Sequence, residues 1–440
     1  MIKRGMSNFM DGFIRMYPDF KSIDDIIVKT ATFVVTQQCN LRCSYCYEHR
    51  KDNTKMTKDI AKKAVDMLFK EYESGNGYIT KDNSKAIILE FIGGEPLLEI
   101  DLIDYTVDYF KYRAITENHP WAMHYMISIS TNGILYLDDE VQRFLKKNKN
   151  KVSIGITIDG NKELHDSCRK FPDGKGSYDI VEKAIKHQIE ANAYMDISTK
   201  LTLAPSNVEY LYDAVVNMHE LGITDLFANC IFEKGWEVEH SRLFYKQLIK
   251  VADYLLEDRR YERMAISLFD ESIGKSLSKE NNQNWCGGTG CMLAIAPDER
   301  IYPCLRYVPF TQKEGTKPLV IGSLEGGIGN TDEQQHTVDE LTQITRRSQS
   351  TDECFNCPIA SGCAWCSAYN YEETGSPNKR VTYICIMHRA RVLANIYYWN
   401  KLYRKEGLEE RFPVNTPKEW ALEIISEEEY NMLLDLSKEN

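Results

Sequence analysis

Thirteen cysteines in a chain of 440 residues are the side chains best suited to chemistry here. Three of them form Cys39-x3-Cys43-x2-Cys46, inside Thr36-Gln37-Gln38-Cys39-Asn40-Leu41-Arg42-Cys43-Ser44-Tyr45-Cys46-Tyr47. Three soft thiolates packed into one loop can hold iron or zinc. A structural zinc site takes four protein ligands, and no His or Cys follows at finger spacing, so zinc would leave this loop one ligand short. A 4Fe-4S cluster on three cysteines keeps one iron open to a substrate or cofactor, a need this spacing meets and a disulfide pattern does not.

Eight more cysteines run as Cys286-x4-Cys291-x12-Cys304, then Cys354-x2-Cys357-x5-Cys363-x2-Cys366, and finally Cys385. Eight thiols suit two four-ligand sites, and the run from Cys354 to Cys366, taken alone, reads equally as a zinc ribbon. Cys168 and Cys230 are left over and are expected to be buried, inert thiols, although Cys168 adjoins Arg169. No secretory signal or stretch of 18 apolar residues is present, so the thiols are expected to lie in the reducing cytoplasm, away from any membrane.

The elements that must position these thiols are strand and helix in alternation. From Ala31 to Phe232, short β-branched and apolar runs are each followed by an amphipathic helical pattern. The strand candidates are Ala31 to Thr36, Ala86 to Ile92, Tyr125 to Ser130, Val152 to Ile158, Asp196 to Leu203 and Asp225 to Ile231. The expected fold is therefore α/β. Six such units can curl into a partial (β/α)6 barrel like that of triosephosphate isomerase, with ligands at the C-terminal strand ends. The first cysteine loop, Gly93-Gly94-Glu95-Pro96 and Ser130-Thr131-Asn132-Gly133 all fall at those ends.

Four segments are expected: a helical extension over 1–30, the barrel over 31–260, a small cysteine-rich domain over 280–400 and a helical tail over 401–440. The cysteine-rich stretch loses regular periodicity and would need metal to supplement a thin core. In the tail, Ile386 to Arg404 is apolar at helical spacing, and Thr416 to Glu419 and Ser426 to Glu429 both read as capping boxes. A composition of 43% hydrophobic and 27% charged residues is that of a globular protein. The net charge of -11 argues against a nucleic-acid partner, which would call for clustered Lys and Arg.

With these motifs in place, the chain resembles the radical S-adenosylmethionine (SAM) superfamily, whose signature is Cys-x3-Cys-x2-Cys with an aromatic residue before the third cysteine, here Tyr45. The resemblance implies that SAM chelates the open iron and that one electron cleaves it to methionine and a 5'-deoxyadenosyl radical. It assigns Gly93, Gly94 and Glu95 to the SAM amino group, Ser130 and Asn132 to the ribose, and Arg169 to the SAM carboxylate. Asp159 and His165 are read as hydrogen-bonding groups near a strand end.

The downstream cysteines resemble a SPASM domain, which houses two auxiliary 4Fe-4S clusters and brings the total to three. The resemblance implies Cys286, Cys291, Cys304 and Cys366 for one, and Cys354, Cys357, Cys363 and Cys385 for the other. Such enzymes act on peptides, and the stretch from Cys363 to Tyr371 is most similar to maturases of cysteine-rich peptides. The expected activity is oxidoreductive: a hydrogen is taken from carbon in a ribosomally made precursor, and a Cys sulfur closes a thioether there. An electron donor such as ferredoxin or flavodoxin is implied.

Carbon-carbon or carbon-oxygen crosslinking shares the opening step. Sulfatase maturation to formylglycine uses an Asp directly after the third cysteine of the SPASM region, whereas Cys304 is followed here by Leu305 and Arg306. A zinc-stabilised interaction protein would explain the cysteines but not an open three-ligand loop. The 38 residues ahead of Cys39 are too few for the winged-helix recognition domain that many such maturases carry.

Overall fold

β1 (Lys29–Thr36) reads Lys-Thr-Ala-Thr-Phe-Val-Val-Thr, and all but one of its residues are buried. A strand rich in β-branched and aromatic side chains and buried on both faces belongs in the middle of a covered parallel sheet. β1 does lie there, parallel to β2 (Ile87–Gly93) on one side and to β8 (Met292–Ile295) on the other. The computed structural model describes residues 29–48, 50–74, 78, 86–191, 197–284 and 286–438. The helical extension expected over 1–30 lies outside these except for Lys29 and Thr30, which open β1.

Between the strands run α1 (Lys58–Ser74), α2 (Ile100–Thr116) after β2, β3 (Tyr125–Thr131), α3 (Asp139–Lys147) and β4 (Val152–Thr157). Then come α4 (Lys162–Cys168), α5 (Tyr178–Ala191), β5 (Ser198–Leu203), α6 (Leu211–Glu220), β6 (Asp225–Cys230) and α7 (Val238–Leu256). These are the six expected strand-helix units, each parallel to its neighbour in the order β1 to β6.

Two additions were not foreseen. A two-residue β7 (Ala265–Ile266) extends the sheet beyond β6, and β8 extends it beyond β1. β9 (Arg300–Tyr302), β10 (Gly322–Ser323) and β11 (Gly327–Ile328) then continue antiparallel from β8, so one open sheet runs β11-β10-β9-β8-β1-β2-β3-β4-β5-β6-β7. Runs of two to four residues carry too little periodicity to be told from loops. They pair because the neighbouring strand offers an edge.

The remainder is helical: α8 (Asp332–Thr342), α9 (Arg346–Gln349), α10 (Asp352–Phe355), α11 (Ser367–Thr374), α12 (Cys385–Lys405), α13 (Lys418–Leu422) and α14 (Glu427–Leu436). The cysteine-rich stretch is not left with a thin core of its own. Leu293, Ile295, Ile301, Tyr302, Tyr307 and Phe310 are buried in one cluster with Phe33, Phe91 and Ile129 of the first three strands.

On the other flank, α12 packs along α7, burying Leu393, Ile396 and Trp399 with Leu248 and Val251. Its buried Asn395 donates to Leu268 O at 2.9 Å and accepts from Asp270 N at 3.0 Å, which ties the helix to the loop after β7.

Of the two tail capping boxes, Ser426–Glu429 forms, with both side chains returning to backbone N–H groups. The other does not. α13 starts at Lys418 with Pro417 as its N-cap, and Thr416 Oγ1 is buried without a partner, because Pro417 already supplies the fixed φ that starts the helix. Among the described residues no helix is long and apolar enough to cross a membrane.

Candidate active site

The loop bearing Cys39, Cys43 and Cys46 leaves the C-terminal end of β1 and is closed at its base by Gln37 N to Thr54 O and Met56 N to Val35 O, both 2.9 Å. Its far side is fastened to the turn after α4 by Arg42 N to Lys170 O at 2.7 Å and Ser44 N to Cys168 O at 2.9 Å. Leu41 anchors it with a fully buried side chain. The three thiols share one neighbourhood. Burial pushes Cys43 up to about 11, with the charges of Cys46 and Cys39 adding to it and Arg169 opposing. Leu41 N donates to Cys39 Sγ at 3.4 Å, and Asn132 Nδ2 approaches the same sulfur at 3.8 Å.

Gly93 and Gly94 bring the end of β2 against this loop. Gly94 N donates to Thr36 O and Glu95 N to Gln38 O, each at 2.9 Å. A Cβ on Gly93 would stand 2.1 Å from Thr36 O, and one on Gly94 2.3 Å from Gln38 O. The close approach that requires glycine is thus to the cysteine loop's own backbone. Pro96 opens a short 3-10 helix, with Glu95 as its N-cap.

The Glu95 carboxylate is buried and accepts from Leu97 N at 3.0 Å, Thr131 Oγ1 at 2.7 Å and Asn132 N at 2.8 Å. Burial raises its pKa, and these three donors work in the opposite direction. Asn132 turns its amide to the cysteine loop, donating to Asn40 Oδ1 at 2.6 Å, while Ser130 Oγ accepts from Lys200 Nζ of β5 at 3.1 Å. The Ser-Thr-Asn-Gly motif therefore joins β2, β3 and the loop through Thr131 and Asn132.

Arg169 meets two partners at the end of β4. It donates to Tyr45 Oη at 2.7 Å, and Tyr45 in turn donates to Asp159 Oδ2 in a very short hydrogen bond. The guanidinium also lies 4.0 Å from that carboxylate oxygen. Arg169 Nε and Asp159 Oδ1 are both buried without a partner. Asp159 and His165 do hydrogen-bond at the strand end as expected: His165 Nδ1 accepts from Asp159 N at 3.3 Å, and Nε2 meets Ser177 Oγ at 2.9 Å. Burial pulls His165 down to about 3, so it is neutral.

Sequence reasoning passed over the Asp159–Tyr45 link, since neither residue type signals it, although Thr157-Ile158-Asp159-Gly160 closes a strand like the other site motifs. It also passed over Glu48 and Lys51, whose charged atoms are 3.9 Å apart beside the thiols. Burial works against the Lys51 ammonium, but Cys46 and Cys39 outweigh it and raise its pKa. Burial pushes Glu48 up to about 7.

The eight downstream cysteines separate into two neighbourhoods. Cys304 is raised by burial and then by the charges of Cys366 and Cys286, and Cys286 Sγ meets Ser367 Oγ at 3.2 Å. Cys291, the exposed one, acts with Cys304 and Cys286 on the nearby Tyr78. Cys354, Cys357, Cys363 and Cys385 instead line one small cavity with Arg346, Arg380 and Arg389. The chain crosses from one group to the other between Cys363 and Cys366. Among the described residues no three Cys, His, Asp or Glu side chains are drawn together as closely as a single ion requires. Cys168 is buried, and burial pushes Cys230 up to about 12.

At the barrel mouth Arg306 donates to Glu233 Oε1 at 2.8 Å and lies 4.7 Å over the Tyr47 ring, beside Cys366. Arg306, two residues after Cys304, thus leads to a carboxylate supplied from the loop after β6.

The sequence profile of the radical SAM superfamily matches residues 33–215, the stretch that carries β1 to α6 and the three-cysteine loop. The chain carries a radical SAM domain. It is 26% identical over 282 residues to the antilisterial bacteriocin subtilosin biosynthesis protein AlbA of Bacillus subtilis, covering 62% of this chain and 54% of that protein, little more than half its length. To the cysteine-type anaerobic sulfatase-maturating enzyme of Clostridium perfringens it is 27% identical over 286 residues, 61% of this chain and 72% of that one. Native anSMEcpe with bound AdoMet and Cp18Cys peptide superposes with a TM-score of 0.61 at 18% identity, over 86% of this chain and 99% of that one.

A radical SAM domain implies SAM and a 4Fe-4S cluster. The residues present fit both groups. Three clustered thiols provide a donor set that suits a cluster with one open iron. Beside them stand a buried carboxylate, Glu95, suited to an ammonium, and a buried guanidinium with an unpartnered Nε, Arg169, suited to a carboxylate.

Proposed function

We propose that this radical SAM enzyme is a SPASM-type peptide maturase that closes thioethers between a Cys sulfur and a carbon of another residue in a ribosomally made precursor peptide. The observation that carries the reading is the division of eleven thiols into one group of three at the mouth of β1 to β4 and two groups of four beside it. In this reading Cys39, Cys43 and Cys46 hold the SAM-binding cluster. Cys286, Cys291, Cys304 and Cys366 hold one auxiliary cluster, and Cys354, Cys357, Cys363 and Cys385 the other.

Bound beside the cluster that Cys39, Cys43 and Cys46 would hold, SAM would supply the radical chemistry that takes a hydrogen atom from substrate carbon. The chain's own residues place it. Glu95 receives the ammonium of the cofactor, held rigid by Leu97, Thr131 and Asn132. Arg169 receives the carboxylate, aimed by Tyr45 and Asp159. Ser130, on the same strand end, is assigned to the ribose. A ferredoxin or flavodoxin would serve as donor of the electron.

A second reading is formylglycine formation on a sulfatase Cys or Ser, and the structure contributes one point in its favour. Glu233, held by Arg306, offers a carboxylate of its own although Cys304 is not followed by an Asp. Its oxygen is already engaged by the Arg306 guanidinium at 2.8 Å, which is why the thioether reading is preferred.

Anaerobic purification and reconstitution should yield about twelve iron atoms per chain and reduction-dependent 5'-deoxyadenosine. With a cysteine-rich precursor, mass spectrometry should show loss of two hydrogens and of one alkylatable thiol per turnover. Zinc without SAM cleavage would sink the enzyme reading. Aldehyde formation on a sulfatase peptide, with no thioether on cysteine-rich precursors, would replace thioether closure by the second reading.

A further inference from the structure

The three groups of thiols differ in the donors that face their sulfurs. In the first loop Cys39 Sγ is approached by the neutral Leu41 N and Asn132 Nδ2. In the group of Cys286, Cys304 and Cys366 the Ser367 hydroxyl meets Cys286 Sγ, backbone N–H groups face Cys304 and Cys366, and the one guanidinium nearby, Arg306, donates to Glu233 Oε1 at 2.8 Å. The group around Cys363 is different. Arg380 Nη2 donates to Cys363 Sγ at 3.0 Å and is braced by Cys363 O at 3.2 Å and Ala364 O at 3.4 Å, while Arg380 N donates to Gln349 O at 3.0 Å.

Arg389, at the first turns of α12, lines the same cavity as Cys385 and lies 4.2 Å over the Trp420 ring, with its buried Nε unpartnered. It is also paired with Glu423 at 3.0 Å. Arg346 lines the same cavity, but its guanidinium is spent on the carbonyls of Asn281, Phe355 and Ser278.

Charged N–H donors to the sulfurs of a cluster stabilise its reduced, more negative form and so raise its potential. We infer that Arg380, with Arg389, sets the reduction potential of the cluster held by Cys354, Cys357, Cys363 and Cys385 above that of the other auxiliary cluster. This cluster is then the stop for the electron left over by crosslinking. Joining a carbon radical to a thiol forms one C–S bond, breaks one S–H bond and releases one proton and one electron. The proton goes to solvent, the electron reduces this cluster by one unit, and an external one-electron carrier protein reoxidises it. Arg380 is a positioning residue that does not touch the peptide. The inference rests on the two-auxiliary-cluster reading.

The test is redox potentiometry followed by electron paramagnetic resonance on the reconstituted full-length holoenzyme. The signal of the cluster concerned is identified by its loss in Cys363→Ala. Arg380→Ala and Arg389→Gln should each lower the midpoint of that signal alone, and Arg380→Lys, which keeps charge but loses the fork, should lower it less. If Arg380→Ala sheds the cluster, the Arg380→Lys and Arg389→Gln midpoints decide: a downward shift in either supports the inference, and none overturns it. Three clusters present with unmoved midpoints overturn the inference alone. Iron for fewer than three clusters in the unmodified protein overturns the cluster reading and the inference with it.

Discussion

Replacing Gly94 by Ala tests whether the cysteine loop and the end of β2 form one rigid body. The added Cβ would meet Gln38 O at 2.3 Å, Gln38 C at 2.6 Å and Gln37 O at 2.7 Å, all closer than the 3.0 Å that real contacts respect, and all backbone. No rotamer change relieves such a clash, so the two segments must separate. Separation stretches Gly94 N to Thr36 O and Glu95 N to Gln38 O, worth about 1 kcal/mol each. Overpacking adds about 1–3 kcal/mol.

The sum, about 3–5 kcal/mol, is a large share of the roughly 5–15 kcal/mol that holds a protein folded. Denaturant unfolding of the anaerobically prepared variant should show that loss. Where the variant remains folded, displacement of Glu95 by about 1 Å should cut 5'-deoxyadenosine formation by about a hundredfold. A variant with unchanged unfolding midpoint and cleavage within twofold of the parent would refute the reasoning.

Tyr45→Phe removes the hydroxyl that joins Arg169 to Asp159, leaving a buried guanidinium nitrogen and a buried carboxylate oxygen short of a partner; stability should fall by about 1–3 kcal/mol by denaturant unfolding, with weaker SAM binding by calorimetry. His165 is neutral in the fold, with its pKa pulled from 6.5 to about 3, so the unfolded chain binds the proton first and stability present above the unfolded value is lost as pH falls. Between about pH 7 and about pH 5 the loss from this group should be about 2 kcal/mol, and His165→Gln should flatten that part of the pH profile. Glu233→Gln should leave thioether yield within about threefold but abolish any aldehyde product, because only the second reading needs a proton acceptor there; equal loss of both products in mass spectrometry would put Glu233 in binding rather than proton transfer.

Much of the catalytic half was legible in the chain. Strands β1 to β6 carry enough β-branched and apolar residues to announce themselves, and motifs at their C-terminal ends converge because parallel units place those ends together. Strands β7 to β11, of two to four residues, were not legible, since their pairing is decided by an edge that exists only once the barrel forms. The capping box at Ser426 was readable because its partners lie three residues apart, whereas the one at Thr416 failed because Pro417 started the helix instead.

What the sequence alone determined is the donor inventory: three thiols in one loop, eight downstream, a buried-type Glu after two glycines, and an Arg at position 169. Residue type and short spacing are enough for that, because ligand chemistry is local. Only the tertiary structure decided that Gly93 and Gly94 accommodate the cysteine loop, and that Asp159 reaches Tyr45 across more than a hundred residues of chain. It also decided that Glu233 answers Arg306 and that Arg380 reaches a cysteine sulfur. These contacts join residues far apart in sequence, and no periodicity or propensity encodes a distance that only the packed sheet and helices create.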